Sequence, residues 1–94
     1  MSWDEYDSAL KDKSGHVLID VRTDEEWAHG HIEGARHVRA DELASRPRDF
    51  IPDQATTIAL HCRSGGRASR VYDLLKKQGY KHLVCITGDS GGRF

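Results

Sequence analysis

Thr57-Ile58-Ala59-Leu60-His61-Cys62-Arg63-Ser64-Gly65-Gly66-Arg67-Ala68-Ser69-Arg70 is the stretch that decides the architecture of this 94-residue chain. An apolar run of strand length ends at a cysteine, and the turn beyond it holds two glycines and two arginines. From Arg67 to Gln78, residues Ala68, Val71, Tyr72, Leu74 and Leu75 then draw one apolar stripe at helical spacing. Lys76 and Lys77 suit the negative end of that helix, and Gly79 is placed to terminate it. Strand, glycine turn and helix start in succession form the layout of an anion-binding loop carrying a nucleophile.

The chemistry of such a loop follows from the thiol. At its ordinary pKa of about 8.5, only roughly 3% of a cysteine is thiolate at pH 7, so a reactive cysteine needs surroundings that favour the anion. Three are available here: backbone N–H groups of the turn, the positive end of the helix from Arg67, and the guanidinium groups of Arg63 and Arg67. Glycine at 65 and 66 permits backbone angles that aim successive N–H groups inward. The same residues also fit a plain turn after a buried structural cysteine, and spacing alone leaves both readings open. Cys85 lies inside another apolar run without such neighbours and reads as a core residue, with a resolving thiol for Cys62 as the lesser reading.

Working outward, His16-Val17-Leu18-Ile19-Asp20-Val21 is a second continuous apolar run, the pattern of a parallel strand covered on both faces. His82 to Thr87 is a third. Ser2-x-x-Glu5 opens a short helix to about Lys11, and Thr23-x-x-Glu26 opens another over Asp24–His29 that Gly30 ends. Ile32 to Arg39 suggests a brief extended segment. Asp41 can cap a short helix through Leu43 and Ala44, and the Pro47 and Pro52 neighbourhood reads as a connector without helix. Strands alternating with helices predict one α/β domain over residues 1–94, a small central parallel sheet with helices on both faces. Ligands bind such sheets beyond the carboxyl ends of the strands, where Cys62 and Asp20-Val21-Arg22 both fall.

Composition narrows the class of partner. Fourteen Lys+Arg against fifteen Asp+Glu give a net charge of −1 with both signs dispersed, which argues against nucleic acid or an acidic membrane and for a small molecule. No run of apolar residues is long enough to span a bilayer, and the start lacks signal-peptide layout. Two cysteines are too few for a disulfide scaffold and too distant for a Cys-x-x-Cys pair. The densest histidine group, His29, His31 and His37, has no cysteine or carboxylate at familiar ligand spacing, and no metal site is expected.

Three segments together resemble the rhodanese superfamily, specifically its single-domain thiosulfate sulfurtransferases. They are Leu18-Ile19-Asp20-Val21-Arg22 with Glu25-Glu26-Trp27, Gly30-His31-Ile32 and Gly34-Ala35; the loop Cys62 to Arg67 with its preceding strand; and the helix after it, Gly79-Tyr80 and the strand up to about Thr87. The resemblance implies that Cys62 takes a sulfane sulfur from a donor such as thiosulfate and passes it, as a persulfide, to cyanide or another thiophilic acceptor. Loop amides across Arg63, Ser64, Gly65, Gly66 and Arg67 would stabilise thiolate and persulfide, and Arg63 and Arg67 would attract the sulfonate. No metal or organic cofactor is called for. A protein thiol as acceptor, in a sulfur relay, is the alternative. The related phosphatases and arsenate reductases carry arginine six positions after the cysteine; Ala68 stands there, and the shorter ring fits sulfur better than a phosphoryl group. Asp20 and Arg22 read as a structural ion pair rather than a substrate contact. At the carboxyl end Gly91-Gly92 meets Arg93 and Phe94 where the family usually has a tryptophan, which leaves the closing wall and the acceptor open. A cytoplasmic location is expected, or a periplasmic one if a leader has been removed.

Overall fold

The computed structural model describes residues 1–63, 66–88 and 91–93. Its strands are β1 (His16–Asp20), β2 (Arg36–His37), β3 (Thr57–His61) and β4 (Leu83–Cys85); its helices are α1 (Trp3–Ala9), α2 (Asp24–Ala28), α3 (Ala40–Ser45), α4 (Pro47–Phe50) and α5 (Gly66–Lys77). The four strands form one parallel sheet in the order β2-β1-β3-β4. The predicted α/β class with helices on both faces is therefore the observed one. Among the described residues no helix is long and apolar enough to cross a membrane.

The period-two alternation of strand side chains sorts the core into two layers. Ile58, Leu60 and Cys62 of β3 and its extension join Ile19, Val21, Leu43, Val71 and Leu75 in the larger cluster, with α3 and α5. Ala59 and Leu18 face the other way, against Trp3 and Tyr6 of α1. Leu18, Ile19, Ile58, Ala59 and Leu60 are all buried, as expected of central strands covered on each face. β1 and β3 pair in register from His16↔Thr57 to Asp20↔His61, so the two carboxyl ends finish side by side. The chain leaves β1 toward β2 on one side and β3 toward β4 on the other, which makes the gap between those ends the switch point of the sheet.

Several local expectations change. The connector around Pro47 contains helix α4, because proline at the first helical position loses no hydrogen bond and already has a helical φ. Asp41 is not the cap of α3: the helix begins at Ala40, whose N–H donates to Val21 O at 3.1 Å, and Asp41 falls in its first turn. α1 stops at Ala9, α2 at Ala28, and α5 ends at Lys77. The extended segment reduces to two residues of β2, and the third apolar run to three of β4, with Thr87 pairing instead with Ser2. The Asp89-Ser90 part of the last loop and Phe94 lie outside the described residues.

The end of α5 shows how sequence punctuates this fold. Gly79 has φ +97°, Tyr80 N–H donates to Leu75 O and Gly79 N–H to Lys76 O, each at 3.2 Å, a Schellman closure that docks Tyr80 into the core. A Cβ at Gly79 would stand 2.9 Å from Gln54 Nε2, whose amide holds Gln78 O at 2.8 Å. Gly79→Ala is expected to cost about 1–2 kcal/mol, from left-handed strain and the displaced Gln54. In a thermal melt this should lower Tm by roughly 5–15 °C.

Candidate active site

The floor of the site is the paired ends of β1 and β3. Val21 N–H donates to His61 O at 3.0 Å, continuing the ladder one step beyond the strands. Asp20 is fully buried, and Arg22 nearly so. The Asp20 carboxylate receives Arg22 N–H at 3.0 Å, Arg22 Nε at 3.0 Å and Arg22 Nη2 at 2.9 Å. Arg22 Nη2 also donates to Gly30 O at 2.7 Å, and His37 Nε2 lies 2.8 Å from Arg22 O. A buried ion pair is tolerated where hydrogen bonds replace the lost water, as they do here. Asp20 and Arg22 thus form the structural pair expected of them, tying β1, the turn after α2 and β2 together.

His61 sits between that pair and α1. It is fully buried, with Nε2 3.8 Å from Asp20 Oδ2 and its ring edge-on to Trp3 at a centroid distance of 5.1 Å. Burial pushes its pKa below the ordinary 6.5, outweighing the pull of Asp20, so this imidazole is neutral at pH 7. Cys62 follows immediately, 1% exposed and in the same buried cluster as Ala68 and Val71. The sequence marks His61 only as part of a strand; alternation places it on the face opposite Leu60, and its burial there depends on Trp3 of α1.

Of the loop residues named from sequence, Arg63 is exposed, Gly66 is the first residue of α5 and Arg67 lies in its first turn. Ser64 and Gly65 lie outside the described residues. Gly66 does not take a positive φ, and a Cβ there would meet nothing within 4 Å, so the special backbone angles expected at this glycine are not found. Arg67 is engaged: its Nη1 and Nη2 grip Glu26 of α2 at 2.5 and 3.0 Å. That guanidinium, followed by Thr23 N–H and Oγ, holds the Glu26 pKa at about 2 instead of 4.5. The Arg67 pKa is raised, chiefly by Glu26 and further by Cys62 and Asp20.

Two clefts flank this pair. One of about 300 Å3 is lined by Arg22, Glu25, Glu26, His29, Gly30 and Arg63; the other, about 330 Å3, runs between α3 and α5 past Arg67, Arg70 and Leu74. Of the histidine group, His31 and His37 lie parallel to the Trp27 ring at 3.6 and 4.8 Å. Among the described residues no cluster of three or more His, Cys, Asp or Glu is arranged to hold a metal. Cys85 is half-buried, not a full core residue, with Ser69 Oγ 3.7 Å from its sulfur, because β4 is a three-residue edge strand.

The chain is similar to thiosulfate sulfurtransferase PspE of Escherichia coli, 29% identical over 65 residues, covering 69% of this chain and 62% of that protein. It is 33% identical over 85 residues to the mitochondrial protein HIGH ARSENIC CONTENT 1 of Arabidopsis thaliana, covering 80% of this chain but 50% of the relative. The chain thus spans less than two thirds of the length of either. The structure is similar to that of the human single-domain sulfurtransferase TSTD1, with a TM-score of 0.81 at 27% identity over 97% of this chain and 90% of that one. The family model for the rhodanese-like domain matches residues 2–90, and on that match the protein belongs to the rhodanese-like family.

Proposed function

We propose that the protein is a sulfurtransferase in which Cys62 carries sulfane sulfur from thiosulfate, or a similar donor, to cyanide or another thiophilic acceptor. The observation that carries this reading is the place of Cys62: at the switch point of the sheet, one turn before an arginine-bearing helix start, on a floor whose charges are internally paired. Relatives and structural neighbours named sulfurtransferases support it.

The steps balance without an external oxidant. The Cys62 thiolate attacks the outer sulfur of thiosulfate, the sulfur–sulfur bond of the donor breaks, and sulfite departs with the electron pair. Cyanide then attacks the terminal sulfur of the Cys62 persulfide and leaves as thiocyanate, restoring the thiolate. Arg63, exposed beside the 300 Å3 cleft, is the cation a sulfonate meets first; Arg67 acts from its pair with Glu26. Loop N–H groups from Arg63 through Ser64, Gly65 and Gly66 to Arg67 serve the thiolate and the persulfide in turn. Neutral His61 adds no charge to the floor.

The test is the intact mass of the protein after thiosulfate and again after cyanide. One sulfur should be gained and then lost, in wild type and in Cys85→Ala alike, and steady-state kinetics should be ping-pong. No gain of sulfur would sink the reading, and discharge only to a protein thiol would replace enzyme by relay.

A further inference from the structure

The grip of Glu26 on Arg67 crosses 41 positions of sequence, and Glu26 itself meets neither the donor nor the acceptor in the reaction just written. Glu26 is the third residue of α2, and its Oε1 also accepts from Thr23 N–H and Thr23 Oγ, each at 3.1 Å. The capping box therefore fixes the carboxylate on its own helix, independently of Arg67. Arg67, with 38% of its side chain exposed, has solvent open to it and is held out of it by both oxygens of Glu26. Arg67 stands in the first turn of α5, and the next residue, Ala68, packs in the same buried cluster as Cys62.

We propose that Glu26 is a positioning residue for Cys62: by clamping Arg67 in one bidentate geometry, it fixes that guanidinium beside the loop that carries the thiolate. The proposal rests on the sulfurtransferase reading in treating Cys62 as the reacting group, yet thiolate reactivity is measurable with no sulfur donor present. Among the described residues, the charged groups on the elements that meet at this end of the sheet are Asp20 of β1, Arg22 just beyond it, Glu26 of α2, Arg63 after β3 and Arg67 of α5, with His61 neutral on β3. A carboxylate acting merely as a nearby negative charge disfavours a thiolate; one that places Arg67 favours it. The two roles have opposite signs.

Iodoacetamide alkylation of Cys62, in a Cys85→Ala background and across about pH 5–9, separates them. Glutamine at the third helical position supports the same capping box, so Glu26→Gln preserves α2 while losing the charged clamp. Glu26→Gln and Arg67→Met are each expected to slow alkylation at pH 7 about 3- to 10-fold and to move the midpoint of the curve toward alkali. The double variant should be no slower than Arg67→Met alone. Alkylation in Glu26→Gln as fast as wild type or faster, or losses that multiply in the double variant, would overturn the proposal. If alkylation behaves as expected while thiosulfate adds no sulfur, the sulfurtransferase reading alone fails.

Discussion

Cys62→Ser is expected to cut thiocyanate formation from thiosulfate and cyanide at least about a thousandfold, to the level of a protein-free blank. The reason lies in the element. A serine hydroxyl in the same cradle ionises far above neutral pH, so loop amides and arginines that favour a thiolate leave it protonated. Oxygen also cannot carry the sulfur as a persulfide, and with the covalent intermediate goes the whole two-step route. The exchange is nearly isosteric, and burying a hydroxyl at a site 1% exposed costs about 1–3 kcal/mol, which leaves the fold standing. Thiocyanate release and far-ultraviolet circular dichroism, measured on the same preparation, separate lost chemistry from lost structure. Residual turnover within tenfold of wild type would mean that another group carries the sulfur.

The second large effect is structural. Asp20→Ala removes the carboxylate that three Arg22 donors share and leaves a guanidinium 3% exposed with its principal counter-charge gone. Breaking a buried pair from one side costs about 3–5 kcal/mol, because the remaining charge stays desolvated. Against a total stability of about 5–15 kcal/mol for a domain, that is a large share. Urea unfolding should show the midpoint falling steeply with little change in slope. Asp20→Asn, which keeps acceptor oxygen without charge, should lose less. Equal stability of wild type and Asp20→Ala would show that Gly30 O and the other contacts of Arg22 suffice without the carboxylate.

Long-range charge pairing is where sequence reading stops. The continuous apolar runs Val17–Ile19 and Ile58–Leu60 carry the pattern of strands buried on both faces, and the stripe Ala68, Val71, Leu75 that of a helix packed against them. Parallel connection then brings Cys62 and Asp20 to one edge without further assumption. The engagement of Arg67 by Glu26 follows no local period: Thr23-x-x-Glu26 is legible as a capping box, and nothing in that pattern says the carboxylate has a second duty across the site. His61 was similarly hidden, since its burial depends on Trp3 from α1. The helix at Pro47 escaped because proline breaks a helix interior yet suits its first residue. Cys85 reads as a core position because its run is apolar, but only three residues of that run form β4, and its outer side is met by the terminal Met1, whose amine donates to Cys85 O at 3.0 Å, rather than by another strand.

That uneven strand length has a bearing on behaviour in concentrated solution. The two five-residue strands occupy the interior of the sheet, whereas the outer strands have two and three residues. An outermost strand offers unpaired backbone groups on which another polypeptide can zip, and the template is only as long as the strand. Both margins are short, and the outer side of β4 is already met by the N-terminal segment, through Met1 N on Cys85 O and Thr87 N–H on Met1 O, so the sheet gives a second copy little edge to extend.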